Sequence, residues 1–167
     1  MALVSTAQNV VDQSAVPVTK VNPQKKGGAI RTAFGYLAAA SFTGGTAGQW
    51  YTFCRVPARA RVVAIKMTNP TSTTGAIKVG LYRPDGIAID DDVFATVFVM
   101  GAANNRALVD TVQTPLERSQ SLASAYATAI GTAGATSDVE FDIAAAIVTV
   151  IGTPVAATME VDYVLPE

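Results

Sequence analysis

The sequence predicts an all-β chain, an antiparallel β-sandwich or barrel preceded by an extended arm. Three observations lead there. From residue 29 onward, apolar side chains recur in short runs with a period of two, the spacing that lines one face of a strand. Clusters rich in Gly, Pro, Asn and Asp separate those runs. Within the runs, charged residues alternate with apolar ones, as in antiparallel sheets with one face in water, not in buried parallel sheets. Half of the 167 residues are apolar, so a single core of ordinary domain size is available.

Residues 1–28 stand apart. They are polar, lack a sustained helix or strand period and end in Pro23-Gln24-Lys25-Lys26-Gly27-Gly28. They read as an arm that spans about 90 Å when fully extended. The alternative is a frayed terminus. Val16, Val18 and Val21 are apolar enough to seek a surface, and Lys20, Lys25 and Lys26 would flank it; these six are candidate protein-interaction residues. Residues 29–167 form the expected sandwich domain. No secretory signal is expected in residues 1–8, which lack a basic segment followed by an apolar one. The nearly apolar run 143–151 is too short to span a bilayer, so no membrane is expected.

The strands follow in order. Residues 49–56 are aromatic and β-rich, with Trp50, Tyr51 and Phe53. Trp50, the one tryptophan, reads as a core residue or as an interface anchor. Residues 61–68 alternate, placing Val63, Ile65 and Met67 on one face and Val62, Ala64, Lys66 and Thr68 on the other. In residues 76–83, Ile77, Val79 and Leu81 oppose Lys78 and Tyr82. Residues 138–143 put Val139, Phe141 and Ile143 inside and Asp138, Glu140 and Asp142 in water. Ala144-Ala145-Ala146 fits one helical turn, but Ile147, Val148 and Val150 favour a strand. Met159, Val161, Tyr163 and Leu165 alternate with Glu160 and Asp162. Thr43-Gly44-Gly45, Asn69-Pro70-Thr71, Arg83-Pro84-Asp85-Gly86 and Gly152-Thr153-Pro154 mark the turns.

One stretch departs from this pattern. Thr114-Pro115-Leu116-Glu117 carries a threonine N-cap, a proline in the first turn and a glutamate three residues on, which predicts a short helix over 119–129.

The composition speaks against catalysis. The chain has no histidine, which removes the commonest general base and every Ser-His or Cys-His pair. Its single cysteine, Cys54, allows neither an internal disulfide nor a thiolate zinc site, and fits a reducing compartment. Residues 43–48 are Gly-rich but lack the ending of a phosphate loop. Asp90-Asp91-Asp92 is the one carboxylate cluster. Three consecutive side chains on an extended strand are not expected to converge, so a solvated loop is expected and a cation site is the alternative. The chain is expected not to be an enzyme and to need no cofactor.

The net charge of −1 hides an asymmetry. Up to Arg83 there are ten Lys and Arg against one acid, Asp12, and beyond it two Arg against twelve acids. Either interleaved strands pair these charges, or the two halves make a polar subunit that docks on complementary surfaces. Without a long basic stripe, nucleic acid is not an expected partner.

Several segments together resemble a known family. These are Val56-Pro57-Ala58-Arg59-Ala60-Arg61-Val62-Val63-Ala64-Ile65, then Gly75-Ala76-Ile77-Lys78-Val79-Gly80-Leu81-Tyr82, then Asp90-Asp91-Asp92-Val93-Phe94-Ala95, and finally Met159-Glu160-Val161-Asp162-Tyr163-Val164. They resemble the head decoration, or cement, proteins of tailed bacteriophages over residues 45–100 and the last strand. The resemblance implies a jelly-roll-like antiparallel β-sandwich, a homotrimer, and the major capsid protein as partner. It also implies a place on the capsid exterior after assembly in the host cytoplasm. The competing expectation is a tail- or fibre-associated module that binds a host surface glycan through Trp50 and Tyr51.

Overall fold

The computed structural model describes residues 29–42, 45–70, 74–101, 103–127 and 140–165. Eight strands carry the fold: β1 Ile30–Leu37, β2 Trp50–Pro57, β3 Arg61–Asn69, β4 Ala76–Tyr82, β5 Ala88–Val99, β6 Asn104–Leu108, β7 Glu140–Thr149 and β8 Ala157–Val164. Two single-turn helices, α1 Pro115–Arg118 and α2 Leu122–Ala125, lie between β6 and β7.

The strands form two four-stranded sheets, ordered β1-β8-β3-β6 and β2-β7-β4-β5, with every pairing antiparallel. This is the jelly-roll order: successive strands cross between the sheets, and of the consecutive pairs only β4 and β5 are hydrogen-bonded neighbours. That hairpin turns at Arg83-Pro84-Asp85-Gly86. The Gly86 N–H donates to the Arg83 carbonyl, the Arg83 N–H donates to the Ile87 carbonyl, and Gly86 takes φ 89°. A type I turn closed by a left-handed glycine gives this pattern.

The core lies between the sheets. The β1-β8-β3-β6 sheet contributes Ile65, Met67, Met159 and Val161, and the other sheet contributes Ile77, Val79, Leu81, Phe141, Ile143 and Ile147, all buried. Phe42, just beyond β1, fills one corner and meets Tyr51 and Phe53 edge-on at centroid distances of 4.9 and 5.8 Å. At this corner β1 passes so close to β2 that a Cβ on Gly35 would collide with the Phe53 backbone carbonyl.

Several expectations are corrected. In β3 the register shifts between Val62 and Ala64, and this bulge buries Val62 while leaving Val63 exposed, the reverse of simple alternation. Asp142 does not face water; it is 4% exposed. Ala144-Ala145-Ala146 is strand throughout, inside β7. The capping box at Thr114 is present, with Glu117 N–H donating to Thr114 Oγ1 and Thr114 N–H donating to Glu117 Oε2. It starts only one turn, however. Ser121 then caps a second turn by accepting from Ser124 N–H, so the described residues break the helix expected over 119–129 at its start, and residues 128 and 129 lie outside them. Asp138 and Val139 lie outside the described residues.

Candidate interaction surfaces

Cys54, the only thiol, is buried in β2 with Sγ directed at the Met159 carbonyl. Burial pushes its pKa up to about 12, so the thiol stays protonated at neutral pH. What the molecule offers to others lies on the outer faces of the two sheets.

The outer face of the β1-β8-β3-β6 sheet has a charged centre and apolar edges. Lys66 of β3 and Thr32 of β1 both donate to Asp162 of β8, and these two bonds hold its carboxyl below the ordinary range. Arg106 of β6 reaches Glu160 at 2.7 Å. Arg106 itself stands in a left-handed conformation, φ 54°, where β6 carries one extra residue opposite β3. On the β1 edge, Phe34 and Tyr36 are 64% and 61% exposed, beside Glu160 and Thr158 in register. Ile30 is also exposed at the start of that strand, and Leu108 on the opposite edge.

Phe34 and Tyr36 were not singled out by sequence reasoning. Their alternation is visible as Phe34-Gly35-Tyr36, but it suggests aromatic rings turned inward. The structure turns the small residues Ala33 and Gly35 inward, because β2 approaches too closely for anything larger.

The outer face of the other sheet is largely covered by its own chain. Trp50, on the edge strand β2, reaches across β7, where Ala144 and Ala146 present only methyl groups. It stacks on Tyr82 of β4 at 5.2 Å and 19°. Tyr82 is buried, whereas Trp50 is 41% exposed. Burial first, and Asp91 second, raise the Tyr82 phenol to about 12. Tyr51 points to the opposite face, so the expected Trp50–Tyr51 pair is not brought together. Next to this stack, Arg55 donates twice to the buried Asp142, at 2.6 and 3.0 Å.

The acidic cluster rests on a wide bulge. Between Val79 paired with Ala95 and Leu81 paired with Asp90, β4 advances two residues and β5 five. The surplus folds over β4, where a Cβ on Gly80 would collide with the Asp91 backbone. The bulge overturns the expectation that three consecutive carboxylates stay apart: Asp90, Asp91 and Asp92 bring carboxylate oxygens within 4.8 Å of one another. Lys78 already pairs with Asp91, and Asp92 N–H donates to Asp90 Oδ1 at 3.3 Å. Burial first, then its neighbours Asp92 and Asp91, raises the Asp90 pKa. With one oxygen from each residue, the cluster falls short of the six to eight a calcium ion takes.

Of the candidate interaction residues, only Trp50 can be located. Val16, Val18, Lys20, Val21, Lys25 and Lys26 lie outside the described residues.

No family model matches the sequence, and no curated protein matches it. Three solved structures are similar in shape. One is a chain of the capsid of Ralstonia phage GP4, with a TM-score of 0.56 at 10% identity, covering 84% of this chain and 87% of that one. Another is in the cyanophage Pam1 capsid asymmetric unit, with 0.45 at 15%, covering 84% and 87%. The third is in the acidic stable capsid structure of Helicobacter pylori bacteriophage KHP30, with 0.45 at 11%, covering 84% and 91%. At such identities the likeness is one of fold: this chain shares its eight-stranded architecture with a chain of the GP4 phage capsid.

Proposed function

We propose that this chain is a structural, non-enzymatic virion protein that binds the major capsid protein lattice of a tailed phage and stabilises the head from outside. The observation that carries the reading is the jelly-roll sandwich shared with a chain from a phage capsid. It is supported by the row of exposed aromatic side chains on β1, the strand that follows directly on residues 1–28.

The physical case is one of added contact. Packed DNA strains the junctions between capsomers. A rigid sandwich bridging them adds interface, and each contact made raises the effective concentration for the next. Residues 1–28 act as an arm that adds backbone hydrogen bonds along a sheet edge of the partner. The active form is a homotrimer, which presents three arms at once.

Co-sedimentation with expanded, undecorated capsids tests this. The protein should pellet with capsids at saturable stoichiometry and raise their resistance to heat. Failure to pellet at micromolar concentration would reject the proposal. Sedimentation velocity of the free protein tests the trimer, with a monomeric mass as the contrary result.

The glycan-binding reading has one point of support, the half-exposed Trp50 stacked on Tyr82. Because Tyr82 is buried, the pair offers a single ring to a sugar and no second wall. Binding to a glycan array with loss on Trp50→Ala would favour that reading.

A further inference from the structure

Behind α1 lies a buried polar corner. Asp110 is 1% exposed and Gln113 7%. Among the described side chains, both carboxylate oxygens of Asp110 and Oε1 of Gln113 are buried without a hydrogen-bond donor. The neighbouring cation, Arg118, forms an ion pair with Asp110, Nη1 to Oδ2 at 3.1 Å, while three of its five N–H groups go to backbone carbonyls. Nη2 donates to the Asp110 carbonyl at 3.0 Å, Nη1 to the Val63 carbonyl at 3.3 Å and Nε to the Gln113 carbonyl at 3.4 Å. The Gln113 amide donates to the Tyr126 hydroxyl at 2.7 Å. None of the three acceptors receives a well-formed hydrogen bond, and only the Arg118 ion pair and the nearby Gln113 N–H offset the cost of burying the Asp110 charge.

We propose that Asp110 retains a proton in the folded protein and acts as a pH-dependent latch, tightest in acid, on the corner that fastens residues 110–126 to the β2–β3 turn and to β5. A proton makes one Asp110 oxygen a donor and removes a charge from the interior. Gln113 Oε1, three residues on, is a second buried acceptor without a hydrogen-bond donor among the described residues. The fastening itself is backbone pairing: Leu122 N–H donates to the Ala60 carbonyl, Ala123 N–H to the Ala58 carbonyl, and Thr111 N–H to the Phe94 carbonyl.

The charged groups around Asp110 are few. From α1, Arg118 opposes protonation and Glu117 favours it; the Gln113 backbone N–H also opposes it. Beyond Gln113 stands the Tyr126 phenol, itself raised to about 12 chiefly by burial, with Asp90 of β5 among its weaker influences. β3 brings no charge to the corner among the described contacts: its Val63 carbonyl accepts from Arg118 and its Ile65 carbonyl from the Val109 N–H. Burial is the largest influence and raises the Asp110 pKa above its ordinary 3.8. A carboxyl raised on folding contributes stability that is complete below the unfolded value and is lost as pH climbs through the folded one.

Thermal unfolding of the full chain and of Asp110→Asn between pH 3 and pH 8 tests this. The amide copies the neutral acid and does not titrate. The variant's melting temperature should gain on the wild type's by about 3 °C for each pH unit above the ordinary carboxyl value, until the folded value is passed. A variant that loses ground as pH rises would overturn the latch, since Asp110 would then be a charge stabilised by Arg118. If Asp110→Asn does not fold, the side-chain carboxyl carbon of Asp110 is titrated by NMR in the wild type. A midpoint above 3.8 supports the proposal, and one at or below it overturns it.

Discussion

Asp162 joins three strands with one side chain: it sits on β8, accepts from Thr32 on β1 and pairs with Lys66 on β3. Its lowered pKa means that it stabilises the fold at neutral pH, and that this contribution disappears as pH falls below 3.8 through the folded value. Asp162→Asn should cost about 1 kcal/mol at pH 7 and less at pH 2, as read by denaturant unfolding at the two pH values. Cys54 illustrates the other effect of burial. With its thiol raised to about 12, it should react with an aromatic disulfide reagent at pH 8 only as fast as the protein opens, and at the ordinary thiol rate in denaturant. Immediate labelling of the native protein would contradict its placement. The charge asymmetry of the sequence is also resolved residue by residue. Arg55 and Lys66 from the basic half pair with Asp142 and Asp162 from the acidic half because the jelly roll interleaves early and late strands, and Lys78 pairs with Asp91 across the β4–β5 hairpin.

At the scale of elements, what alternation alone could reveal was legible. β2, β3, β4 and β8 were anticipated to within a residue or two, β7 only in its first half, and their inward residues were mostly identified, as with Ile77, Val79 and Leu81. What alternation could not reveal was where it breaks. One bulge in β3 exchanged Val62 and Val63, and a larger one in β5 hid that strand's pairing by folding Asp90–Asp92 over Gly80. β6 was invisible because it is five residues long and contains its own irregularity at Arg106. The exposed aromatic row of β1 depended on a contact with β2 that no local pattern encodes. Gly35→Ala should therefore destabilise by about 2 kcal/mol or more, since its methyl group would meet backbone and not a yielding side chain; a denaturant midpoint unchanged from wild type would refute that packing. Phe34→Ser with Tyr36→Ser touches only the outer face. The double variant should keep the wild-type melting temperature within a few degrees, yet lose capsid co-sedimentation if β1 is the docking edge.

For the molecule as a whole, the proposed arm, residues 1–28, is tested by removing it. Deleting residues 1–28 should leave circular dichroism and cooperative melting of the sandwich intact and weaken capsid association by at least about tenfold, which a tethered extra contact readily supplies. Unchanged affinity of the shortened chain would mean that the sandwich faces do all the binding. The strand order carries a further consequence, for how the protein is made. Of the described strands β1 emerges from the ribosome first, but the one it pairs with is β8, through pairs such as Ile30 with Val164 and Leu37 with Ala157. Synthesis of those eight strands takes on the order of ten seconds, during which β1 waits without a mate. Its greasy side chains are then a target for chaperones or for sticking to other nascent chains. Once β8 slots between β1 and β3, leaving that state means pulling out an interior strand of a sheet, a slow event that gives the folded sandwich kinetic persistence.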